Sequence, residues 1–297
     1  MVFVVADANR GWILEAICTE LAERSPAPSQ VHYGLRPLPK AGAYFFSHYS
    51  LHLRCLGDRA LQRADAYVLF THPSFRPGEL EPAVAAMSQC RAVISLCSVH
   101  AQFLVDAGLP AERVEVAIPG VDPDRFPPHR RGEGAVGLCS AYYPRKAPET
   151  VLELVRALPD RPFRLLGRGW REAPLFADLD ALPNFTYLED AYENYPAFYD
   201  GIDIFVSTST LEGGPTPLIE AMMANCVPVA SRTGYAPDVI DDGRNGFLVD
   251  VGAPGAVYAE RVEAAFAVAP DVDIRATVDH LTWDAFAAKV LAITGQA

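Results

Sequence analysis

Short runs of β-branched and aromatic residues alternate with longer stretches of helical periodicity along almost the whole chain of 297 residues. Such a rhythm favours parallel strands, because each helix returns the chain to the edge of the sheet where the next strand begins. The runs predict strands at 2–6, 30–34, 43–47, 66–70, 92–96 and 113–117, and then at 135–139, 163–167, 185–189, 203–207, 227–231 and 246–250. The sequence therefore predicts an α/β fold with two doubly wound units in tandem.

Helical patterns occupy 12–23, a stretch near 146–157, and 217–224. A last helix is predicted to begin after Thr282, whose hydroxyl suits an N-cap. Its apolar side chains share one face, which must be buried: Trp283, Phe286, Val290 and Ile293. Between the two sets of strands, the segment "PPHRRGEG" at 127–134 combines prolines, charges and glycines, and it is the predicted interdomain linker.

Charge and cysteine usage exclude several classes of protein. Lys and Arg number 25 against 37 Asp and Glu, and the resulting net charge of −12 opposes binding to nucleic acid or to anionic lipid surfaces. The six cysteines are scattered without a CxxC spacing, which predicts reduced thiols rather than a zinc site or disulfides. The N-terminal residues lack the features of a secretory leader, and no stretch approaches the ~20 apolar residues that span a bilayer. We therefore expect a cytoplasmic protein.

The segment 210–231, "TLEGGPTPLIEAMMANCVPVAS", is predicted to form a loop, a helix and a strand, directly after the strand at 203–207. In open α/β sheets, ligands bind outside the carboxyl ends of the strands, where this loop lies. Thr216 is the predicted N-cap of the helix and Pro217 its first residue, and Asn225 suits a left-handed C-terminal cap. The loop is therefore the first candidate for a binding site.

Two glutamates, Glu212 and Glu220, flank this loop. The free amides at a helix start bind anions, and Gly213 and Gly214 let a phosphate approach the backbone. Glu220, about one turn into the helix, accepts hydrogen bonds and suits the vicinal diol of a ribose. Glu212, on the other side of the anion, suits the hydroxyls of a sugar. Together these features indicate a nucleotide sugar, although a capped helix with two solvated glutamates gives the same pattern.

At these residues the chain resembles the retaining glycosyltransferases of family 4, which have the GT-B fold. The stretch "EGGPTPLIEAMMANCVPVAS" and the following "TGYAPDVIDDGRNGFLV" are similar to the family's signature of two glutamates, a helix and a Val-Pro-Val strand. Three more stretches are similar to family segments: "YYPRKAPETVLELVRAL", "LLGRGW" and "ISLCSVHAQFLVDAGLPAERVEVAIPGVDPDRF". The resemblance rests on motifs over residues 90–297 and on pattern alone over 1–90.

The resemblance implies two Rossmann-like domains that face a cleft. The acceptor-side domain spans 1–130 and is rejoined by the helix 282–297, and the donor-binding domain spans 131–281. The implied reaction moves a hexose-type sugar from a UDP- or GDP-type nucleotide sugar to an acceptor hydroxyl. The first domain lacks a basic amphipathic helix of the kind that docks membrane-bound acceptors, which favours a small soluble sugar or natural product as the acceptor. It proceeds by same-face attack, in which the departing phosphate oxygen helps to take the acceptor proton. No metal or cofactor is expected.

The resemblance also assigns residues. Its catalytic set is Glu212, which faces the transferred sugar, Lys146, which neutralises the donor diphosphate, and His72, which belongs to the acceptor side with His48 as a rival. Its donor-binding set joins Lys146 to Arg145, Gly213, Gly214, Thr216, Pro217, Leu218, Glu220 at the ribose, Leu188 and Gly11.

The chain departs from the family pattern at a few positions. Ser140 stands where relatives often carry an arginine, which Arg145 or Arg168 would replace, and Pro215 stands where a glycine is usual. The first domain is also short. The Asp-x-Asp sequences at 122–124 and 178–180 match a metal motif of another glycosyltransferase fold, but neither follows a strand as that motif does, so both are predicted to be surface turns.

Three other functions fit some of the same residues. Two carboxylates about 5 Å apart serve retaining glycoside hydrolases, although the phosphate-type loop between these two opposes that interpretation. A nucleotide-sugar epimerase and a nucleotide-sugar-binding protein that has lost transfer both remain open alternatives with the same architecture.

Overall fold

The structure is a computed structural model that describes residues 1–132, 134–268 and 272–296. The strands, in chain order, are β1 Val2–Val5, β2 Gln30–Tyr33, β3 Ala43–Phe46, β4 Asp65–Phe70, β5 Ala92–Ser95, β6 Val114–Val116, β7 Val136–Cys139, β8 Phe163–Leu166, β9 Phe185–Leu188, β10 Ile204–Ser207, β11 Val227–Ser231 and β12 Phe247–Val249. The helices are α1 Ile13–Arg24, α2 Tyr49–Cys55, α3 Leu80–Met87, α4 Ser98–Asp106, α5 Pro148–Ala157, α6 Phe176–Asp180, α7 Tyr195–Asp200, α8 Thr216–Met223, α9 Ala236–Val239, α10 Gly255–Phe266 and α11 Trp283–Ile293. Both the first and the last residue of each strand lie within one residue of the predicted limits.

The first compact unit comprises Met1–Gly120 and the C-terminal residues from Leu281 onward. Its strands are all parallel, in the order β2-β1-β3-β4-β5-β6. Successive side chains of a strand point to opposite faces, so the apolar runs supply two cores. Val4 and Phe46 belong to one core, while Phe3 and Phe45 belong to the other. Both faces of the sheet are therefore buried, as continuous apolar strands require.

The last helix of the chain, α11, packs on α1 within this unit. Thr282 caps it as predicted, because its hydroxyl accepts a hydrogen bond from the Ala285 amide at 3.1 Å. Phe286 and Val290 are buried in the core with Ile17 of α1. The apolar face predicted for this helix is thus accounted for.

Gly120 lies against the start of α11. A Cβ atom on this glycine would lie 2.0 Å from the carbonyl carbon of Thr282, so the backbone there must move to admit one. We expect Gly120→Ala to lower the free energy of unfolding by about 1–3 kcal/mol, the usual cost of overpacking. Urea unfolding measures this, with Gly42→Ala as the control, because a Cβ at Gly42 meets nothing within 4 Å. Equal losses in the two variants would contradict the expectation.

The second compact unit comprises Val121–His280. Its parallel strands lie in the order β12-β11-β10-β7-β8-β9, which is the doubly wound arrangement. The chain winds outward from β7 in one direction, and then crosses over to β10 and winds in the other. The loops after β7 and β10 therefore leave neighbouring strands on opposite sides, and the crevice between them is the general ligand position in such sheets.

The boundary between the units lies at Gly120, not after residue 130 as predicted from the sequence. Residues of the predicted linker pack on the second unit: Arg131 donates to the carbonyl of Asn225 at 2.9 Å, and the Gly132 amide donates to Oδ1 of Asp203 at 2.9 Å. Glu133, in the middle of that linker, is outside the described residues. The prolines and charges correctly predict an irregular segment. They do not predict the domain boundary, because the hydrogen bonds of this segment attach it to the second unit.

Candidate functional site

The loops after β7 and β10 are hydrogen-bonded to each other, because their strands pair directly. The Thr208 hydroxyl donates to the Lys146 carbonyl at 2.8 Å. The Thr210 amide donates to the Arg145 carbonyl at 2.7 Å, and its hydroxyl reaches the same oxygen at 3.2 Å. These bonds fix the position of the Arg145–Lys146 pair at the crevice.

Lys146 and Glu212 form an ion pair across the two loops. Only 13% of the Lys146 side chain and 9% of the Glu212 side chain are exposed. The Glu212 amide donates to the Thr233 hydroxyl at 3.1 Å, which ties the loop after β10 to the loop after β11. Two residues that the family resemblance assigned to the diphosphate and to the sugar are therefore in direct contact.

Lys146 ends a short 3-10 turn, Pro144–Lys146, and is not part of α5 as the predicted helix near 146–157 had it. Pro148 begins α5, and a residue before proline is kept out of the right-handed helical region; Ala147 takes the left-handed conformation instead, with φ of 50°. The Arg145 guanidinium lies 4.4 Å from the centre of the Tyr143 ring, and its Nε is buried without a hydrogen-bond partner in the described part of the chain. An anion in the crevice is a suitable partner for this N–H group.

Helix α8 begins at Thr216, one residue earlier than predicted. Pro215 occupies the N-cap position and provides no side-chain hydrogen bond, so the prediction of Thr216 as the N-cap is wrong. Pro217 has no amide hydrogen, and Leu218 is buried with its amide bonded to the Pro215 carbonyl at 2.8 Å. The start of α8 thus lacks a side-chain cap within the described residues, which leaves its positive dipole end facing the loop that carries Gly213 and Gly214.

Glu220 is 1% exposed, and each of its carboxylate oxygens accepts a hydrogen bond from a tyrosine hydroxyl. The Tyr192 hydroxyl donates to Oε1 at 2.6 Å, and the Tyr199 hydroxyl donates to Oε2 at 2.7 Å. Burial raises the pKa of the Glu220 carboxyl, and the two hydroxyls oppose this only in part. Burial likewise raises the pKa of both tyrosines, so they remain hydrogen-bond donors. Because Glu212 and Glu220 are both buried, the alternative of two solvated glutamates is wrong.

Three site residues were missed by the sequence reasoning: Tyr192, Tyr199 and Arg125. Arg125 donates to the Tyr192 carbonyl at 2.7 Å and lies 4.0 Å from the centre of its ring. The tyrosine-rich stretch "AYENYPAFYD" was the available signal. Nothing in the spacing indicated that its hydroxyls meet a carboxylate 28 and 21 positions away. Leu188, at the end of β9, is exposed beside this stretch.

Two of the predicted residues, Gly11 and His72, belong to the first unit, in the loops after β1 and β4. Gly11 has φ of 71°, and its amide donates to Oε2 of Glu15 at 2.5 Å. His48, the rival of His72, caps α2 by accepting the Ser50 amide at 3.2 Å. Burial and the nearby His72 lower the pKa of His48 to about 4. His48 therefore caps a helix, and both His72 and its rival His48 stay predictions for the acceptor side.

Within residues 1–132, 134–268 and 272–296, no group of three or more His, Cys, Asp or Glu residues could hold a metal ion. Residues 178–180 end helix α6 rather than forming the predicted turn. Asp122 and Asp124 do form a turn, in which the Asp124 amide donates to Oδ1 of Asp122 at 3.0 Å. All six cysteines are buried.

Every helix in the described part of the chain is too short or too polar to cross a membrane.

A family model described as "Glycosyl transferases group 1" matches residues 125–267, which lie in the second unit and contain the Lys146–Glu212 pair. This part of the chain, 143 of the 297 residues, is similar to that family. The two parallel sheets also make the fold that of a GT-B glycosyltransferase, as the resemblance implied.

Two curated glycosyltransferases are similar in sequence. A D-inositol 3-phosphate glycosyltransferase of Mycobacterium sp. (strain KMS) is 28% identical over 193 residues, which is 57% of this chain and 43% of that protein. A GDP-mannose-dependent alpha-(1-6)-phosphatidylinositol monomannoside mannosyltransferase of Mycolicibacterium smegmatis is 27% identical over 168 residues, 48% of this chain and 44% of that one. The matched part of this chain spans less than half of the length of these curated relatives.

Among solved glycosyltransferase structures, Anabaena HepE in complex with UDP and glucose has a similar fold. The TM-score is 0.78 at 14% identity, over 100% of each chain. At this identity the likeness concerns the fold alone.

Proposed function

We propose that the chain is a retaining glycosyltransferase that moves a hexose-type sugar from a nucleoside-diphosphate sugar to an acceptor hydroxyl. The Lys146–Glu212 ion pair carries this proposal, because it places a buried cation at the switch point of the second sheet, in contact with the loop that leads into α8. A cation and a helix dipole at one point suit a diphosphate, and the carboxylate beside them suits sugar hydroxyls.

The similar proteins support a nucleotide sugar as the donor. The mycobacterial mannosyltransferase is GDP-mannose-dependent, and HepE was solved with UDP and glucose. We therefore propose a UDP- or GDP-type donor. For the acceptor we propose a small soluble sugar or natural product, since the net charge of −12 disfavours an anionic lipid surface. The six cysteines, which are scattered along the sequence and buried, support a reducing compartment such as the cytoplasm.

In the proposed reaction, negative charge develops on the diphosphate as the bond to the sugar breaks. Lys146, the Arg145 guanidinium and the start of α8 stabilise that charge, and Glu220 holds the ribose. Glu212 orients the sugar by accepting hydrogen bonds from its hydroxyls. The departing phosphate oxygen takes the acceptor proton as the acceptor attacks from the same face, so no protein base is assigned to that proton. Closure of the site against water protects the donor from hydrolysis.

A donor panel with and without acceptors tests the proposal. UDP-glucose, UDP-N-acetylglucosamine and GDP-mannose are incubated with the protein and soluble sugar acceptors, and products are resolved by mass spectrometry and by NMR of the anomeric proton. Transfer with retained anomeric configuration is expected. A new nucleotide sugar without acceptor would instead identify an epimerase, and nucleotide binding without turnover would identify a binding protein.

Sugar transfer is expected to continue at an unchanged rate in excess EDTA. Lys146 and the start of α8 supply the positive charge that a divalent cation supplies elsewhere, so no metal is required. The control is EDTA saturated beforehand with Mg²⁺, which contains no free chelator. A rate that falls in EDTA alone and returns when Mg²⁺ or Mn²⁺ is added would contradict metal independence.

A further inference from the structure

The two hydroxyls that bind Glu220 come from tyrosines in opposite environments. Tyr199 is completely buried, whereas Tyr192 is 46% exposed although its hydroxyl reaches the buried carboxylate. One oxygen of Glu220 is therefore held from the interior of the fold, and the other is held from the surface.

The surroundings of Tyr192 allow its side chain to leave. It lies in the segment 188–194, where every residue is exposed. Its ring contacts Arg125, with the guanidinium 4.0 Å from the ring centre, and Tyr195 edge-to-face at 5.1 Å. Arg125 also holds the main chain of Tyr192, because its guanidinium donates a hydrogen bond to the Tyr192 carbonyl at 2.7 Å. A rotation of the side chain alone releases the hydroxyl, while the main chain keeps its place.

We propose that the Tyr192 hydroxyl occupies the position of a ribose hydroxyl on Glu220, and that the ribose of the donor displaces it. This inference rests on the proposed function and adds a positioning residue to its donor site. A phenol and a sugar hydroxyl donate the same kind of hydrogen bond to a carboxylate, so the exchange keeps Oε1 satisfied. A phosphate cannot make this exchange, because it would meet the negative carboxylate without a proton to donate.

Displacement makes donor binding weaker than it would be at an unoccupied carboxylate, and only a ligand with a ribose diol recovers the lost bond. Tyr192→Phe removes the competing hydroxyl and keeps the ring on Arg125. We therefore expect this variant to bind a nucleoside diphosphate about tenfold more tightly, given the strength of hydrogen bonds to charged groups. A 2′,3′-dideoxynucleoside diphosphate, which has no hydroxyl to offer, should gain nothing.

The test is isothermal titration calorimetry with UDP, GDP and ADP and with their 2′,3′-dideoxy counterparts, on the wild type and two variants. Tyr199→Phe is the matched control, because it removes the other hydroxyl from the same carboxylate without changing the exposed loop. The Tyr199 hydroxyl is buried and is not displaced by a ligand. The substitution should therefore lower the melting temperature without increasing the affinity for any nucleotide.

A gain confined to Tyr192→Phe and to the ribonucleotides supports the exchange. Unchanged or weaker binding of ribonucleotides to Tyr192→Phe, or an equal gain for the dideoxy compounds, would overturn it while leaving the donor site intact. If none of the three ribonucleotides binds the wild type or Tyr192→Phe, the donor site itself is rejected, and the inference falls with it.

Discussion

Replacing Lys146 with alanine is expected to lower kcat/KM for sugar transfer by about 10²–10³-fold, the usual loss when one fixed group that stabilises developing charge is removed. The cation is held in place by its ion pair with Glu212 and by the backbone bonds of its loop, so solvent cannot replace it in position. Steady-state kinetics with the donor identified in the panel measures the effect. Full activity in Lys146→Ala would remove the main support for the proposed function.

The same substitution has a cost in stability that must be separated from the loss of catalysis. Removing one partner of a buried ion pair costs about 3–5 kcal/mol, because the other charge stays buried. Removing Glu212 as well, in Lys146→Ala/Glu212→Ala, should recover most of that stability but none of the activity. Arg161→Ala is the control, since Arg161 pairs with Glu263 on the surface of the same unit. It should change neither property by much.

Replacing Glu220 with glutamine is expected to weaken binding of the donor by about 10- to 100-fold, because the diol loses hydrogen bonds to a charged acceptor. The amide nitrogen donates hydrogen bonds and does not accept them, so it cannot accept the bond that a ribose hydroxyl donates to the carboxylate. Titration of the best nucleoside diphosphate measures this. Glu193→Gln, which changes an exposed carboxylate next to Tyr192, should leave the affinity unchanged.

The stability of the wild type relative to Glu220→Gln should depend on pH, in a direction set by the burial of the Glu220 carboxyl. Because burial raises the pKa of Glu220 above 4.5, the folded protein holds this proton more tightly than the unfolded chain. The stability that the protonated carboxyl contributes is present below that ordinary value and is lost as the pH rises through the folded-state pKa. The wild type should therefore lose stability relative to Glu220→Gln as the pH is raised from about 4 to 7. Urea unfolding across this range measures the difference, and a difference that falls with pH would contradict it.

The sequence predicted the central strands almost to the residue because these strands, unlike β2, β6 and β9, are buried on both faces. Runs such as "VFVV" and "VPVAS" then have no polar alternation that would blur their limits. Local chemistry was less informative at the ends of helices. Thr216 has the side chain of an N-cap, yet the backbone starts the helix at that residue because Pro215 is already in the cap position. Side-chain type alone does not decide between adjacent cap positions.

The candidate site was predicted in part, for a physical reason. Lys146 and Glu212 were selected separately, each within a local motif, and the order of the strands brings them together. The tyrosines on Glu220 carry no local motif, because a hydroxyl that bonds a carboxylate has the same sequence signature as one that faces solvent. The limits of the two units were also beyond the sequence, since Arg131 and Gly132 belong to the second unit through bonds to residues far along the chain.

The order of the strands in the second unit also has a kinetic consequence. Strand β7 pairs on one side with β8, which follows it closely in the chain, and on the other side with β10, from which β8 and β9 separate it in the chain. Closing a longer loop costs more entropy, and contacts between distant residues slow folding. Lys146 and Glu212 therefore meet only when the later of these pairings is complete. Recovery of nucleotide binding during refolding should lag behind the formation of the β7–β8 pair, and a ribosome-bound chain that ends before β10 has no donor site.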